Sequence, residues 1–386
     1  MRDLSKEAFR IVGSMAVAGA AILSSTTGRA EGAEPSKLKV TGFLSIVDGR
    51  VLSSTLDPAT YSGAASANGV NAPFYTADWS NAGVYDNKYS VAPESHAGLQ
   101  ASYSLTDSLN LVGQLVVRGT DGTPEVTWAY AGYKLDKNWE VQVGRKRIPL
   151  YYYSDFQDIG VSYPWVSTPP ELYGWDATNY NGASIRYSGA FGNSNVTASL
   201  FAGGESIAKS AYNKLFYSGD TKVDWNNIVG TDVELNNGPA TIRGVYVKSN
   251  THTVNAGAGY DANASLTAYG IAANLDFDSW FILSEVTTLK REFVEARYSY
   301  TAPAFTLGVG VRLGKWTPFL NYAKYTEDSS DLSKYSPQSY QRTSATLRYD
   351  LNSSSAIKTQ LDYNKDVTNN FGGDTTVFRV SYDLVF

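Results

Sequence analysis

From Glu31 onward the chain repeats segments of about ten residues in which apolar and polar side chains alternate. The C-terminal segment shows the pattern best: Phe378, Val380, Tyr382, Leu384 and Phe386 fall on one face, and Arg379, Ser381 and Asp383 on the other, with Val385 the lone exception. A period of two places such sets on opposite sides of a β-strand. Leu38, Val40, Leu44 and Ile46 alternate in the same way with Lys39, Thr41 and Ser45. So do Phe305, Leu307, Val309 and Val311 with Thr306, Gly308, Gly310 and Arg312, and Ile357, Leu361 and Tyr363 with Lys358, Gln360 and Asp362. The pattern predicts strands near 37–47, 95–105, 109–119, 124–135, 139–147, 179–188, 194–203, 225–235, 239–248, 264–275, 279–289, 300–313, 316–325, 339–351, 355–365 and 376–386, about 16 in all. Residues 285–303 alternate least regularly.

In a soluble sandwich the apolar face would meet a core; in a membrane barrel it meets lipid, and the polar face lines the lumen. Arginine and lysine recur here in the polar phase. Unpaired charge in a dry core is very costly, so this phase reads as the wall of a water-filled channel. The expected fold is all-β, a transmembrane antiparallel barrel with both ends on the periplasmic side. The short turns at 106–108, 136–138, 236–238, 276–278, 314–315 and 352–354 share that side, and the longer stretches 48–94, 148–178, 204–224, 249–263, 326–338 and 366–375 lie opposite. Tyr103, Trp139, Tyr187, Trp280, Trp316, Tyr349 and Tyr382 stand near strand ends, where interfacial aromatic girdles belong.

The N-terminus reads differently. Arg2, Lys6 and Arg10 precede an apolar run from Ile11 to Leu23, and Gly28 and Ala30 fit the small-residue positions of a secretory cleavage site. Residues 1–30 are expected to be a signal peptide and 31–386 the barrel domain. Removing residues 1–30 takes four basic and two acidic residues, leaving 28 basic against 35 acidic and a net charge of −7. An acidic chain of this kind gives no sign of nucleic-acid binding. Its apolar run is shorter than the roughly 18 residues of a membrane-spanning helix. Cysteine is absent and only His96 and His252 are present, which leaves no thiolate chemistry and little room for histidine-based chemistry. Neither a nucleophile elbow nor a zinc-protease motif appears. No cofactor, no metal site and no catalytic residue is expected; the chain does not read as an enzyme.

Three features resemble the Gram-negative general porins. The chain ends in Tyr382-Asp383-Leu384-Val385-Phe386; Ala129-Tyr130-Ala131-Gly132-Tyr133 is followed by Val141-Gln142-Val143-Gly144-Arg145; and a long insertion runs from Ile148 to Tyr180. The stretch from Tyr151 to Asp158 and Tyr163-Pro164-Trp165 differ from the enterobacterial members, which points to another branch. The resemblance implies a barrel of 16 strands, a third loop folded into the pore, a homotrimer and a location in the outer membrane, in contact with its lipid. It also implies that Tyr382, Leu384 and Phe386 form the signal read by the barrel-assembly machinery.

Loop three carries Asp155, Asp158, Glu171 and Asp176 and no lysine or arginine. At about 30 residues it is too long for an ordinary hairpin connection. Pro149, Pro164, Pro169 and Pro170 stiffen it, and Tyr151, Tyr152, Tyr153, Trp165 and Trp175 give it apolar mass. Opposite it, the inward phase supplies Lys39, Arg118, Arg186, Arg312, Arg342, Arg348, Lys358 and Arg379. Arg145, Lys146 and Arg147 sit at the loop entrance with unresolved facing. An acidic loop against a basic wall sets up a transverse field that filters ions by sign. The expected function is passive diffusion of small hydrophilic solutes and ions, weakly cation-preferring, with Asp155, Asp158, Glu171, Asp176, Tyr151 and Tyr153 at the constriction. The alternative is a solute-specific channel in which Tyr151, Tyr152 and Tyr153 form a track for a sugar or other nutrient. More distant readings are an outer-membrane enzyme or an adhesive barrel.

Overall fold

The computed structural model describes residues 37–56, 73–368 and 373–386; the expected signal peptide, residues 1–30, lies outside them. Sixteen strands close into one antiparallel barrel: β1 Leu38–Ser54, β2 His96–Ser104, β3 Leu109–Arg118, β4 Pro124–Lys134, β5 Trp139–Arg147, β6 Asn179–Phe191, β7 Ser194–Ile207 and β8 Lys222–Asn237 form the first half. The second half is β9 Ala240–Asn255, β10 Tyr260–Asp276, β11 Trp280–Phe293, β12 Tyr298–Val311, β13 Trp316–Thr326, β14 Ser339–Asn352, β15 Ser355–Asp366 and β16 Thr375–Val385. Asp328–Ser329 carries the β13 wall a little further against β12. Each strand pairs with its sequence neighbours, and β1 pairs with both β2 and β16, so no edge is left. Backbone groups have no water to turn to inside lipid, and closure satisfies them. The seam is completed by Phe386, whose N–H and C=O bond to Gly42 at 3.0 and 2.7 Å and whose ring covers that glycine.

Burial along the strands is the inverse of a soluble protein. On β16, Arg379, Ser381 and Asp383 are buried while Val380 is exposed; on β15, Lys358, Gln360 and Asp362 are buried while Ile357, Leu361 and Tyr363 are exposed. Four of the expected girdle residues meet at the short-turn end: Trp139 packs 5.1 Å from Tyr187 and Trp316 4.5 Å from Tyr349. Residues 285–303, where alternation is least regular, are an ordinary hairpin of β11 and β12.

Several strands run past their expected ends on the long-loop side. β1 continues to Ser54 and β9 to Asn255, so most of the expected loop 249–263 is paired strand around the turn 256–259. The reason is chemical. Above the lipid the outer face no longer has to be apolar, so Asn250 and His252 stand opposite Thr251 and Thr253, and the period-two signal fades while backbone pairing goes on.

The inside-out assignment is testable on β7, where Leu200 is 61% exposed on the outer face and Thr197 faces the lumen. Leu200→Arg should cost roughly 2–4 kcal/mol at a midplane position, and Thr197→Arg much less. Urea titrations of protein refolded into lipid vesicles, read by heat-modifiable gel mobility, measure both; equal tolerance of the two would show the phase to be wrong.

Candidate functional site

Loop three, between β5 and β6, turns inward and crosses the lumen. Its backbone makes two short 3-10 turns, Ser154–Phe156 and Gly160–Ser162. At Gly160 the chain lies against the β16–β1 wall so closely that a Cβ would sit 2.1 Å from Asp383 Oδ1. Tyr151, Tyr153, Tyr163, Trp165, Leu172, Tyr173 and Trp175 pack with Trp225, Leu266, Phe281 and Phe319 from the wall into one apolar cluster within the barrel. The third loop is thus a folded core, and the wall is its shell.

Polar side chains around most of the barrel fasten it. Arg243 of β9 donates to the carbonyls of Pro149, Tyr151 and Tyr152 at 3.1, 2.9 and 3.2 Å. Glu285 of β11 accepts from Tyr152 N–H and the Tyr173 hydroxyl. Lys358 of β15 donates to Gly160 O and Trp165 O, both at 2.6 Å, with Asp383 at 3.2 Å. Arg348 of β14 donates to Val161 O and Tyr163 O.

The loop acids find partners one by one. Asp158 lies between Arg118, at 2.9 Å, and Arg147, and His96 Nε2 is 2.8 Å from its carbonyl. Burial by itself would raise the Asp158 carboxyl, but the guanidinium groups of Arg118 and Arg147 override it and hold the acid well below the usual carboxylate range. Glu171 is paired with Arg342 at 3.0 Å, and Asp176 with Arg291 at 2.8 Å. Asp155 differs: it is exposed, with no ion pair among the described residues.

The sequence-based site is therefore redistributed. Asp158, Glu171 and Asp176 are buried and ion-paired, and Arg342, Lys358 and Arg379 are each 0% exposed. Opposite charges matched in pairs make a polar interior that needs no water. Tyr151 and Tyr153 are packed in the core; Tyr152 is half-buried at a cavity wall, and the buried Tyr153 edges the cavity beside the short turns. Lys39 stands at the exposed short-turn end of β1, and Arg312 pairs with Asp276 at the same end. Arg186 lines the lumen. Tyr382, Leu384 and Phe386 run along the outer face of β16.

Three cavities that share edge residues remain beside the plug. A cavity of about 380 Å³ on the long-loop side is lined by Arg118, Glu125, Arg145, Arg147, Asp176 and Glu205. Next comes one of about 240 Å³ lined by Lys146, Asp155, Arg186, Asp232, Glu234 and Arg243, sharing Arg147 with the first. A third, about 510 Å³, opens beside the short turns and shares Tyr152 and Phe156 with the second. Arg145, Lys146 and Arg147 all line these cavities; they follow Gly144, whose φ of +138° and close approach to Ala129 O, 2.2 Å from where a Cβ would sit, admit only glycine. Glu285, Arg243, Arg291, Lys146, Asp232 and Glu234 were not among the expected site residues. Their inward phase was a signal for some, but it marks every lumen residue alike.

A separate cavity of about 310 Å³ lies on the long-loop side of the plug, lined by twelve aromatic side chains and by Glu171, Arg291, Glu327 and Lys334. Glu327 accepts from the hydroxyls of Tyr325 and Tyr335 and from Gln338 N–H at 2.6, 2.8 and 2.8 Å. Burial raises its carboxyl, and these donors oppose the rise. Neither histidine is hydrogen-bonded to a serine hydroxyl among the described residues: His96 meets two carbonyls and His252 meets Asp261.

No protein-family model and no curated protein matches the sequence. Solved structures do match. OmpT with loop L8 deleted, an outer membrane protein of Vibrio cholerae, aligns at TM-score 0.60 and 11% identity over 90% of this chain and 99% of that one. The anion-selective porin of Comamonas acidovorans aligns at 0.57 and 15% over 90% and 99%. OmpF of Salmonella typhi, in complex with daunomycin, aligns at 0.57 and 14% over 90% and 97%. The chain has the fold of the Gram-negative outer-membrane porins.

The buried Arg147 and the partly buried Arg118 guanidinium groups depend on one loop carboxylate. Asp158→Asn should destabilise the docked loop by about 3–5 kcal/mol, since it strands both charges, and limited proteolysis should then cut between residues 148 and 178. The same pair sets the acid response. A depressed carboxyl contributes fully above its unfolded value of 3.8 and is lost only as pH falls through the lower folded value. Loop three should therefore stay protease-resistant at about pH 4.

Proposed function

We propose that the chain forms a permanently open channel for passive diffusion of small hydrophilic solutes and ions across the outer membrane of a Gram-negative bacterium. The observation that carries this reading is the row of three charged cavities beside the plug, each sharing wall residues with the next. The route follows the wall near Arg147, Asp155 and Tyr152 rather than the barrel axis, which the aromatic cluster fills. The outward apolar faces and the closed fold support insertion in lipid, with the barrel-assembly machinery reading Tyr382, Leu384 and Phe386. A homotrimer is part of the proposal: Asp48 and Arg50 stand on the outer face of β1 in phase with Leu44 and Ile46, where charge is better covered by a second copy than by lipid.

The charges of the middle cavity favour weak selectivity. Arg147 is matched by Asp158 and Arg243 by Asp232, at 3.4 Å. Lys146 and Arg186 then oppose Asp155 and Glu234. Asp155 projects furthest into water, so the weak cation preference rests on it alone and not on Asp158. A second reading, a solute-specific channel, is favoured by the aromatic cavity at the mouth rather than by Tyr151 and Tyr153.

In planar bilayers the purified chain should conduct, and Asp155→Asn should move the reversal potential in a KCl gradient toward anions. Screening sets the size: the shift should be clear at about 0.1 M salt, where the Debye length is near 10 Å, and nearly vanish at about 1 M, where it is near 3 Å. Absence of conductance overturns the channel; an unmoved potential at low salt moves the ion path away from Asp155.

A further inference from the structure

The mouth-side cavity is unlike the ion route in its chemistry. Its wall is a set of aromatic side chains from β10, β11, β12, β13 and the loops above them. Phe293 stacks on Tyr298 at 4.7 Å and Tyr300 on Tyr335 at 4.7 Å; Tyr217 stacks on Tyr260 at 5.5 Å. Tyr217, Tyr260, Tyr298 and Tyr335 are only half-buried, so the cavity is reachable from the mouth. A π-face carries partial negative charge and attracts cations. The structure already seats one there: the Arg291 guanidinium lies 5.5 Å over the Trp175 ring and 5.9 Å over that of Trp225.

The charge balance points the same way. Four ionisable acid and base side chains line the cavity, and three have ion partners: Glu171 with Arg342, Arg291 with Asp176, Lys334 with Asp331. Glu327 is 8% exposed, accepts hydrogen bonds from neutral donors only, and has no cation within ion-pair distance among the described residues. Tyrosines that donate to a carboxylate have more electron-rich rings, which strengthens the attraction.

We infer that this cavity binds a small organic cation carrying an alkylated ammonium group, held on the ring faces and matched by the Glu327 carboxylate. Its volume of about 310 Å³ suits a ligand of that size. The inference names a solute class for the mouth of the proposed channel and rests on that reading for its physiological meaning, whereas binding itself requires only the folded barrel.

The test uses the full chain in detergent, with choline as the probe and dimethylbutanol, its uncharged carbon isostere, as the comparison. Calorimetry should show saturable choline binding and an isostere at least about tenfold weaker, as expected for cation–π attraction with a nearby carboxylate. Glu327→Gln should weaken choline by a similar factor while heat-modifiable mobility stays that of the folded barrel. Should that variant fail to fold, Tyr298→Leu, at the exposed tip of the β11–β12 hairpin, serves instead and should also weaken choline. Equal affinity for choline and its isostere, or no saturable choline binding by folded protein, overturns the inference. A chain that binds choline but does not conduct in bilayers overturns the channel reading and leaves the site standing.

Discussion

Asp362 of β15 lies between Arg342 and Arg379, at 3.0 and 2.8 Å, and all three are sealed from solvent. No member is stable there alone, because an unpaired buried charge costs several kcal/mol and the match repays it only when hydrogen bonds complete the set. Here they do. Arg342 also holds Glu171 of loop three, and Arg379 holds Glu94, just before β2, and the Ser167 hydroxyl. Ser344 and Gln360 donate to Asp362. The barrel wall thus carries excess positive charge that only the inserted segments neutralise, and those segments carry acid that only the wall neutralises. Wall and plug specify each other.

That mutual requirement shapes the rest of the lumen. With loop three tied by charge to β3, β5, β11 and β14 and packed by its aromatic rings, the barrel axis is occupied. The volume left over lies partly beside β3 to β9, where Arg145, Lys146 and Arg147 all line it, and partly beside β9 to β14 near the short turns. The same aromatic mass that closes the axis continues upward into the mouth, where rings from hairpin tips and loops meet Glu327. One packing decision therefore sets both the polar route and the aromatic cavity.

What lipid demands is local, and so the sequence by itself determined it. Every second side chain of a spanning strand must be apolar, which made Val380, Leu361 and Leu307 legible as outer-face residues. The strand count, the turn side and the girdle residues Trp139, Tyr187, Trp316 and Tyr349 follow from the same constraint. Strand ends above the lipid were not legible, since Thr251 and Asn250 face opposite sides yet are both polar. Only the tertiary structure decided which inward charges meet water. Glu171 and Arg342 are 171 positions apart, and Lys358 reaches a carbonyl 198 positions away. Nothing in a period of two distinguishes Asp155, which is exposed at a lumenal cavity, from Asp158, which is locked between two arginines. Ion pairing in a closed barrel depends on where the inserted loop comes to rest, and that is fixed by the packing of its rings against a wall far away in the chain.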